Sequence, residues 1–227
     1  MVFSTYNEQP LHAALKEWYA RPGDRLEAKV DGYIIDILQD QKLVEIQTRN
    51  FAAIKTKITD LTKRHQIRVV HPIAKEKWIL KLPLNGVGSP QRRKSPKRGC
   101  VTEVFKELVS FPELMKSPNF SLEVLMIQEE EIRAYIGKSR WRNRGWAIKE
   151  RRLLGVLESH TFTEPKNLLE LIPSGLPDRF TTRELAEVMG ESRRFAQSVA
   201  YCARKMGTIQ QIGKHGRSHL YAFTKIP

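Results

Sequence analysis

The chain has 227 residues, 39 Lys and Arg against 25 Asp and Glu, a net charge of +14 and a pI near 9.9. Its length allows one large domain or two ordinary ones, 41% hydrophobic residues exclude general disorder, and the longest apolar runs are strand-sized, which excludes a helical membrane span. Two cysteines without CxxC spacing, Cys100 and Cys202, exclude a disulfide framework and a thiolate zinc site, and the charge calls for a polyanionic partner, nucleic acid first.

The first residues, Met1 to Tyr6, lack a basic stretch followed by an apolar one, so the expected location is the reducing cytoplasm, at the nucleoid if the partner is DNA. Composition divides the chain at three points. A basic Gly, Pro and Ser stretch at 84–99 predicts a mobile loop inside a first domain, 1–136. A basic linker at 137–145 belongs to a longer tract, Lys138 to Arg152, that carries Arg140, Arg142 and Arg144. A second domain is expected over 146–227.

Leu11 to Ala20 has helical spacing, with Leu11, Leu15 and Trp18 on one side, and Pro22-Gly23 ends it. Three strands follow, Leu26–Val30, Tyr33–Gln39 and Lys42–Thr48, joined by turns at Asp31-Gly32 and Asp40-Gln41. If both turns have two residues, Glu27 faces Asp36 and Asp36 faces Glu45. Three carboxylates then stand in a row with Cβ atoms about 5 Å apart, and Gln47 shares their side. The other side is apolar: Leu26, Ala28, Val30, Tyr33, Ile35, Ile37, Val44 and Ile46. Like charges directly opposite destabilise a sheet, so the row needs either solvent or a cation. Ile34, Leu38 and Leu43 on the acidic side argue that it is partly covered. A helix at Phe51–Arg64 and a buried strand at Ile67–Ile73 complete a strand–helix–strand crossover, which makes the last strand parallel to its neighbour.

A helix, a three-strand meander, a helix and a strand, with Asp36 separated by eight residues from Glu45-Ile46-Gln47, resemble the PD-(D/E)XK, or restriction-endonuclease-like, superfamily. The resemblance covers residues 8–128 and implies an α/β fold, a mixed central sheet flanked by helices, with Phe120–Gln128 as its last core strand. It implies a Mg²⁺ or Mn²⁺ site held by Asp36, Glu45 and the backbone carbonyl of Ile46. Glu8, at the start of the first helix, matches the helical acid that several branches add to the site, and Glu27 is a second candidate. Gln47 stands where the family has lysine, which orients or deprotonates the water and stabilises the pentavalent phosphate, whereas a neutral amide can only hydrogen-bond. Hard oxygen ligands suit Mg²⁺ or Mn²⁺ rather than Zn²⁺. Of the histidines, His12 falls one turn after Glu8 and faces the same way.

In the second domain, Trp146–Leu157 and Lys166–Ile172 are expected to be helices. Thr181-Thr182-Arg183-Glu184 is a capping box that opens Thr182–Met189, which Gly190 closes. Arg193–Met206 follows, with Phe195, Val199, Cys202 and Met206 as its apolar stripe. Its polar side carries Arg193, Arg194, Gln197, Ser198, Tyr201, Arg204 and Lys205. Two strands, Thr208–Ile212 and His219–Phe223, flank a tip holding Lys214, His215 and Arg217. The order resembles a winged helix-turn-helix, a small α+β unit, which implies that the polar helix side meets base edges and the tip meets phosphate.

Two functional classes remain. One is a metal-dependent endonuclease acting on double-stranded DNA, which would pair as a homodimer to cut both strands with one site per chain. The other is a DNA-binding regulator whose nuclease-like domain is inactive at Gln47.

Overall fold

In a computed structural model, the structure describes residues 10–84, 87–137 and 145–224. Among these, one mixed seven-stranded sheet organises the chain. Helix α1 (Pro10–Tyr19) leads into a meander of β1 (Arg25–Val30), β2 (Tyr33–Gln39) and β3 (Lys42–Ile46). Val30 faces Tyr33 and Gln39 faces Lys42, so both turns have two residues. Asp31 and Gly32 both take positive φ, as a type I′ turn requires. A 3-10 turn (Phe51–Ile54) and α2 (Lys55–Leu61) then cross to β4 (Ile67–Lys81), which pairs parallel to β3. The helix expected over Phe51–Arg64 is therefore shorter and begins as 3-10.

The single apolar side expected for the meander divides into two. Ile37, Val44 and Ile46 pack with Leu11 and Leu15 of α1, whereas Tyr33 and Ile35 join the core that contains α2, together with Leu38 and Leu43, which were expected on the acidic side. The cause is local. Glu27 has a left-handed backbone (φ 49) and the β1–β2 pairing omits Glu27 and Asp36, so side-chain alternation slips by one residue. Leu26 and Ile34 are left half or more exposed, and Trp18, expected in the helix stripe, is 51% exposed.

Past β4, the basic stretch expected to be a loop contains a strand, β5 (Gln91–Lys94), antiparallel to the end of β4. Because β6 occupies one edge of β4 throughout, β5 takes the edge that β3 leaves. Gly99 pins the return: its amide donates to Ala74, and a Cβ there would lie 2.7 Å from both the Ala74 carbonyl and Ile73. A 3-10 turn (Val101–Val104), α3 (Phe105–Leu108) and another 3-10 segment (Pro112–Lys116) lead to β6 (Phe120–Tyr135), parallel to β4.

The largest correction concerns Trp146–Leu157, expected as a helix. It is the first part of β7 (Trp146–Phe162), antiparallel to β6 and on the sheet edge. Its apolar residues follow neither period cleanly, and the open edge of β6 decides between helix and strand. The end of the basic tract thus lies within β7, paired to β6, and the C-terminal unit begins after Phe162. Arg140, Arg142 and Arg144 lie outside the described residues, as does Glu8.

That unit comprises α4 (Pro165–Leu169), β8 (Arg179–Thr181), α5 (Thr182–Met189), α6 (Arg193–Met206), β9 (Ile209–His215) and β10 (Ser218–Phe223). The capping box is formed as expected, and Gly190 and Gly207 end their helices in the left-handed conformation. The hairpin is longer than expected, with a two-residue turn at Gly216-Arg217, and β8 adds a third strand to it. The buried side of α6 belongs to the same apolar cluster as α2, α3 and the central sheet. The cluster on the α2 side of the sheet thus continues into the C-terminal unit, while the cluster under α1 stays separate.

Candidate functional site

The β2–β3 ladder is closed from Ile37–Val44 to the turn and opens beyond it. Asp36 and Glu45 stand at this opening. The Asp36 carboxylate accepts the Ile46 amide at 2.7 Å, bridging the gap in place of a backbone pair. Helix α1 brings His12 to 3.2 Å from the same oxygen, and α2 brings Lys57 to 2.6 Å from Glu45 Oε2. Lys57 also donates to the carbonyl of Ile34, which fixes its ammonium group between β2 and β3.

Burial alone would raise the pKa of both acids. At Asp36, however, His12, the Ile46 amide and Lys57 together outweigh burial and hold the carboxyl below its ordinary value. Glu45, only 7% exposed in its side chain, is pushed up to about 7 by burial and then by the nearby Asp36 charge, against the pull of Lys57 and His12. The two acids are near enough for each to set the other's charge state, and their environments push them apart.

The remaining predicted residues sit elsewhere. Glu27 does not complete the row; its carboxylate pairs with Lys16 at 2.9 Å. The Gln47 amide is turned to the carbonyls of Arg49 (2.5 Å) and Asn50 (3.1 Å), where it holds the chain leaving β3. Its own carbonyl is 2.7 Å from His71 Nδ1, so that nitrogen is the donor. His71 is buried against Phe51, and burial lowers its pKa, which keeps it neutral and structural.

Among the described residues, no group of three or more His, Cys, Asp or Glu side chains is arranged to hold a metal ion. Two neighbouring carboxylates still suit Mg²⁺, which commonly takes one or two carboxylates and completes its shell with water and substrate phosphate.

On the C-terminal unit, Arg193, Gln197, Tyr201 and Arg204 of α6 line a groove of about 180 Å³ with Arg217 and His219 of the hairpin. Arg194, Lys214 and His215 are exposed beside it. Two residues turn away. Lys205 pairs with Glu113 of the 3-10 segment at 2.7 Å, and Ser198 donates to the Arg194 carbonyl of its own helix. A depression of about 800 Å³ around the β2–β3 turn lies at the far end of those strands from Asp36 and Glu45 and holds none of the predicted residues.

Residues 9–163 match the family described as "Domain of unknown function (DUF8091)", more than half of the chain. The chain belongs to this family. The matched region ends one residue after β7, so the DUF8091 region contains the whole central sheet and the opening that carries Asp36 and Glu45. A protein of Treponema pallidum (strain Nichols), described as "Uncharacterized protein", is 32% identical over 224 residues, covering 97% of this chain and 87% of its own length. Its match therefore extends past the DUF8091 region through the C-terminal unit. No solved structure matches the chain.

Sequence reasoning missed Lys57. It sits beside the Ile54, Ile58 and Leu61 stripe of α2, and only the crossing of that helix over the opened strands brings its ammonium group to Glu45.

Proposed function

We propose that this chain is a metal-dependent DNA endonuclease with a restriction-endonuclease-like central sheet, and that its C-terminal unit is a winged helix-turn-helix holding duplex DNA. The observation that carries the reading is the Asp36–Glu45 pair at the β2–β3 opening, served by an ammonium group from α2 and an imidazole from α1. A site needed only for folding would gain stability from apolar residues there, because buried like charges cost free energy.

Asp36, Glu45 and the Ile46 carbonyl would hold a Mg²⁺ or Mn²⁺ ion. Such an ion supplies a Lewis acid for the scissile phosphate and lowers the pKa of bound water. The protein's own residues perform the rest. Lys57 provides the positive charge that Gln47 lacks and keeps Glu45 oriented. His12 holds Asp36 ionised. The groove between α6 and the β9–β10 hairpin, with Arg217 at the hairpin turn, fits a phosphodiester backbone crossed by base edges.

The test is nicking of supercoiled plasmid by purified protein with Mg²⁺, with Mn²⁺ and with a chelator. Wild type should cut only with metal, and Asp36→Ala or Glu45→Ala should abolish cutting while duplex binding persists. The alternative, a DNA-binding regulator, draws on Gln47, whose amide is taken up by two backbone carbonyls. If wild type cuts no DNA form with either metal, and Gln47→Lys does not create cutting, that alternative stands.

A further inference from the structure

Because β7 is a strand, it brings part of the basic tract to the exit of β3. There Arg49, Lys149 and Arg151 surround a notch of about 150 Å³ together with Thr48, Leu11 and Ile148. Thr48, Arg49 and Arg151 also line a larger pocket of about 420 Å³, so the two hollows share one rim. Leu11 precedes His12, the partner of Asp36, and Arg49 follows Glu45 by four residues. Four residues of extended chain span at most about 14 Å, a few nucleotides of a strand.

The charges of this notch differ from those around it. Other bases of the same sheet are neutralised: Arg152 by Glu150, Lys75 by Glu158, Lys77 by Glu129 and Glu131, Arg92 by Glu130, and Arg133 by Glu131. Among the described residues, Arg49, Lys149 and Arg151 have no carboxylate partner and no side-chain acceptor. Arg151 is half-buried as well, so its guanidinium has lost part of its water without gaining an acceptor. Three uncompensated cations beside a hydroxyl, four residues along the chain from Glu45, are matched in charge and in donors to an anionic ligand.

We infer that Arg49, Lys149 and Arg151, with Thr48, grip the phosphodiester backbone of the substrate strand a few nucleotides from Asp36 and Glu45. The notch positions the strand over the two acids, while the distant α6 groove supplies a second hold on the duplex. This rests on the endonuclease reading and names the strand-positioning residues of that site.

The experiment separates the two. Binding of a fluorescein-labelled duplex is measured by anisotropy over a salt series with chelator present, so that no cleavage is needed. The triple variant Arg49→Gln, Lys149→Gln, Arg151→Gln should lower the log–log salt slope by about 2–3, at about 0.9 for each phosphate that is no longer neutralised. Arg49→Lys with Arg151→Lys should keep the wild-type slope, since charge is retained. Arg152→Gln, which removes an already paired base, should leave it unchanged. A wild-type slope and affinity in the triple variant overturn the inference, even if the wild type cuts plasmid. A reduced slope in a protein that cuts no DNA upholds the notch as a backbone contact and rejects the endonuclease reading alone. A slope lowered as much by Arg152→Gln overturns the inference too, since it would reflect general charge instead of the notch.

Discussion

At the scale of single residues, the charge state of Glu45 governs the site. Its carboxyl keeps a proton in the folded protein up to about pH 7, against an ordinary value of 4.5. The unfolded chain therefore releases that proton first, and the folded state loses stability as pH rises between those two values. Metal-free protein should melt at a lower temperature as pH is raised through this window, and Glu45→Gln should flatten the dependence. Scanning calorimetry checks this; equal slopes for both proteins would show that Glu45 ionises freely. A bound divalent ion favours the ionised form, so Mn²⁺ should raise the melting temperature more at about pH 8 than at about pH 5. Lys57 is the second decisive residue. Lys57→Met should slow single-turnover cleavage by about 10²-fold or more, the usual effect of removing one charged stabilising group. Gln47→Ala should cost far less, because its amide serves the Arg49 and Asn50 carbonyls. The opposite ranking would return the ammonium's role to position 47. The spacing of Asp36 and Glu45 was legible in the sequence through two countable turns, but Lys57 was not, since no local pattern ties a helix side chain to a strand it crosses.

At the scale of elements, local signals with a specific chemistry held. The Asp31-Gly32 turn, the Thr181–Glu184 capping box and the glycines after α5 and α6 stand where they were expected, because each is decided by a few neighbouring residues. β7 was misread because its residues accept either helix or strand, and its partner β6 is supplied by tertiary pairing. β5 was hidden by composition: four polar residues become a strand because β3 ends and leaves an edge of β4 open. Gly99 makes that return possible, so Gly99→Ala should cost about 1–3 kcal/mol by crowding Ala74 and Ile73. Urea unfolding measures it, and an unchanged midpoint would mean that the 95–99 segment is not held against β4. On the hairpin, neutralising Lys214 and Arg217 should lower the salt slope of duplex binding by about one unit for each phosphate no longer met, alike on all sequences. Changing Gln197 should instead alter sequence preference by about 1–3 kcal/mol, since it lies within the groove. Binding to specific and scrambled duplexes separates these effects, and a wild-type slope after loss of both bases would remove the hairpin from the interface.

At the scale of the whole molecule, α6 joins the C-terminal unit to the sheet. Its apolar side is buried on α3 and the 3-10 segment after it, the Cys202 thiol approaches the Phe105 carbonyl, and Lys205 pairs with Glu113. Burial pushes the Cys202 thiol up to about 12, which leaves it protonated and inert. A shared core predicts shared unfolding. Phe105→Ala should destabilise the protein by about 3–5 kcal/mol and shift a single transition seen alike by tryptophan fluorescence and by circular dichroism. Two separate transitions would show that the units fold independently. The shared core also gives the α6 groove a fixed relation to the Asp36–Glu45 opening, which a flexible linker would not.

By itself the sequence determined the meander and its turns, the parallel crossover to β4, the neighbouring positions of Asp36 and Glu45, and the capped pair of helices α5 and α6. These depend on interactions across a few residues, and such interactions are written in spacing. Only the tertiary structure decided that Trp146–Phe162 is a strand, that the core on the α2 side of the sheet runs on into the C-terminal unit, that Lys57 and His12 close on the acids, and that Arg49, Lys149 and Arg151 share a notch. Each of those joins segments tens of residues apart, and residue order carries no measure of which distant edge or face a segment will find. The break at Glu27 shows the same limit within three strands: beside one left-handed residue the strand partners keep their register but the side chains change face, and alternation counted along the chain cannot register it.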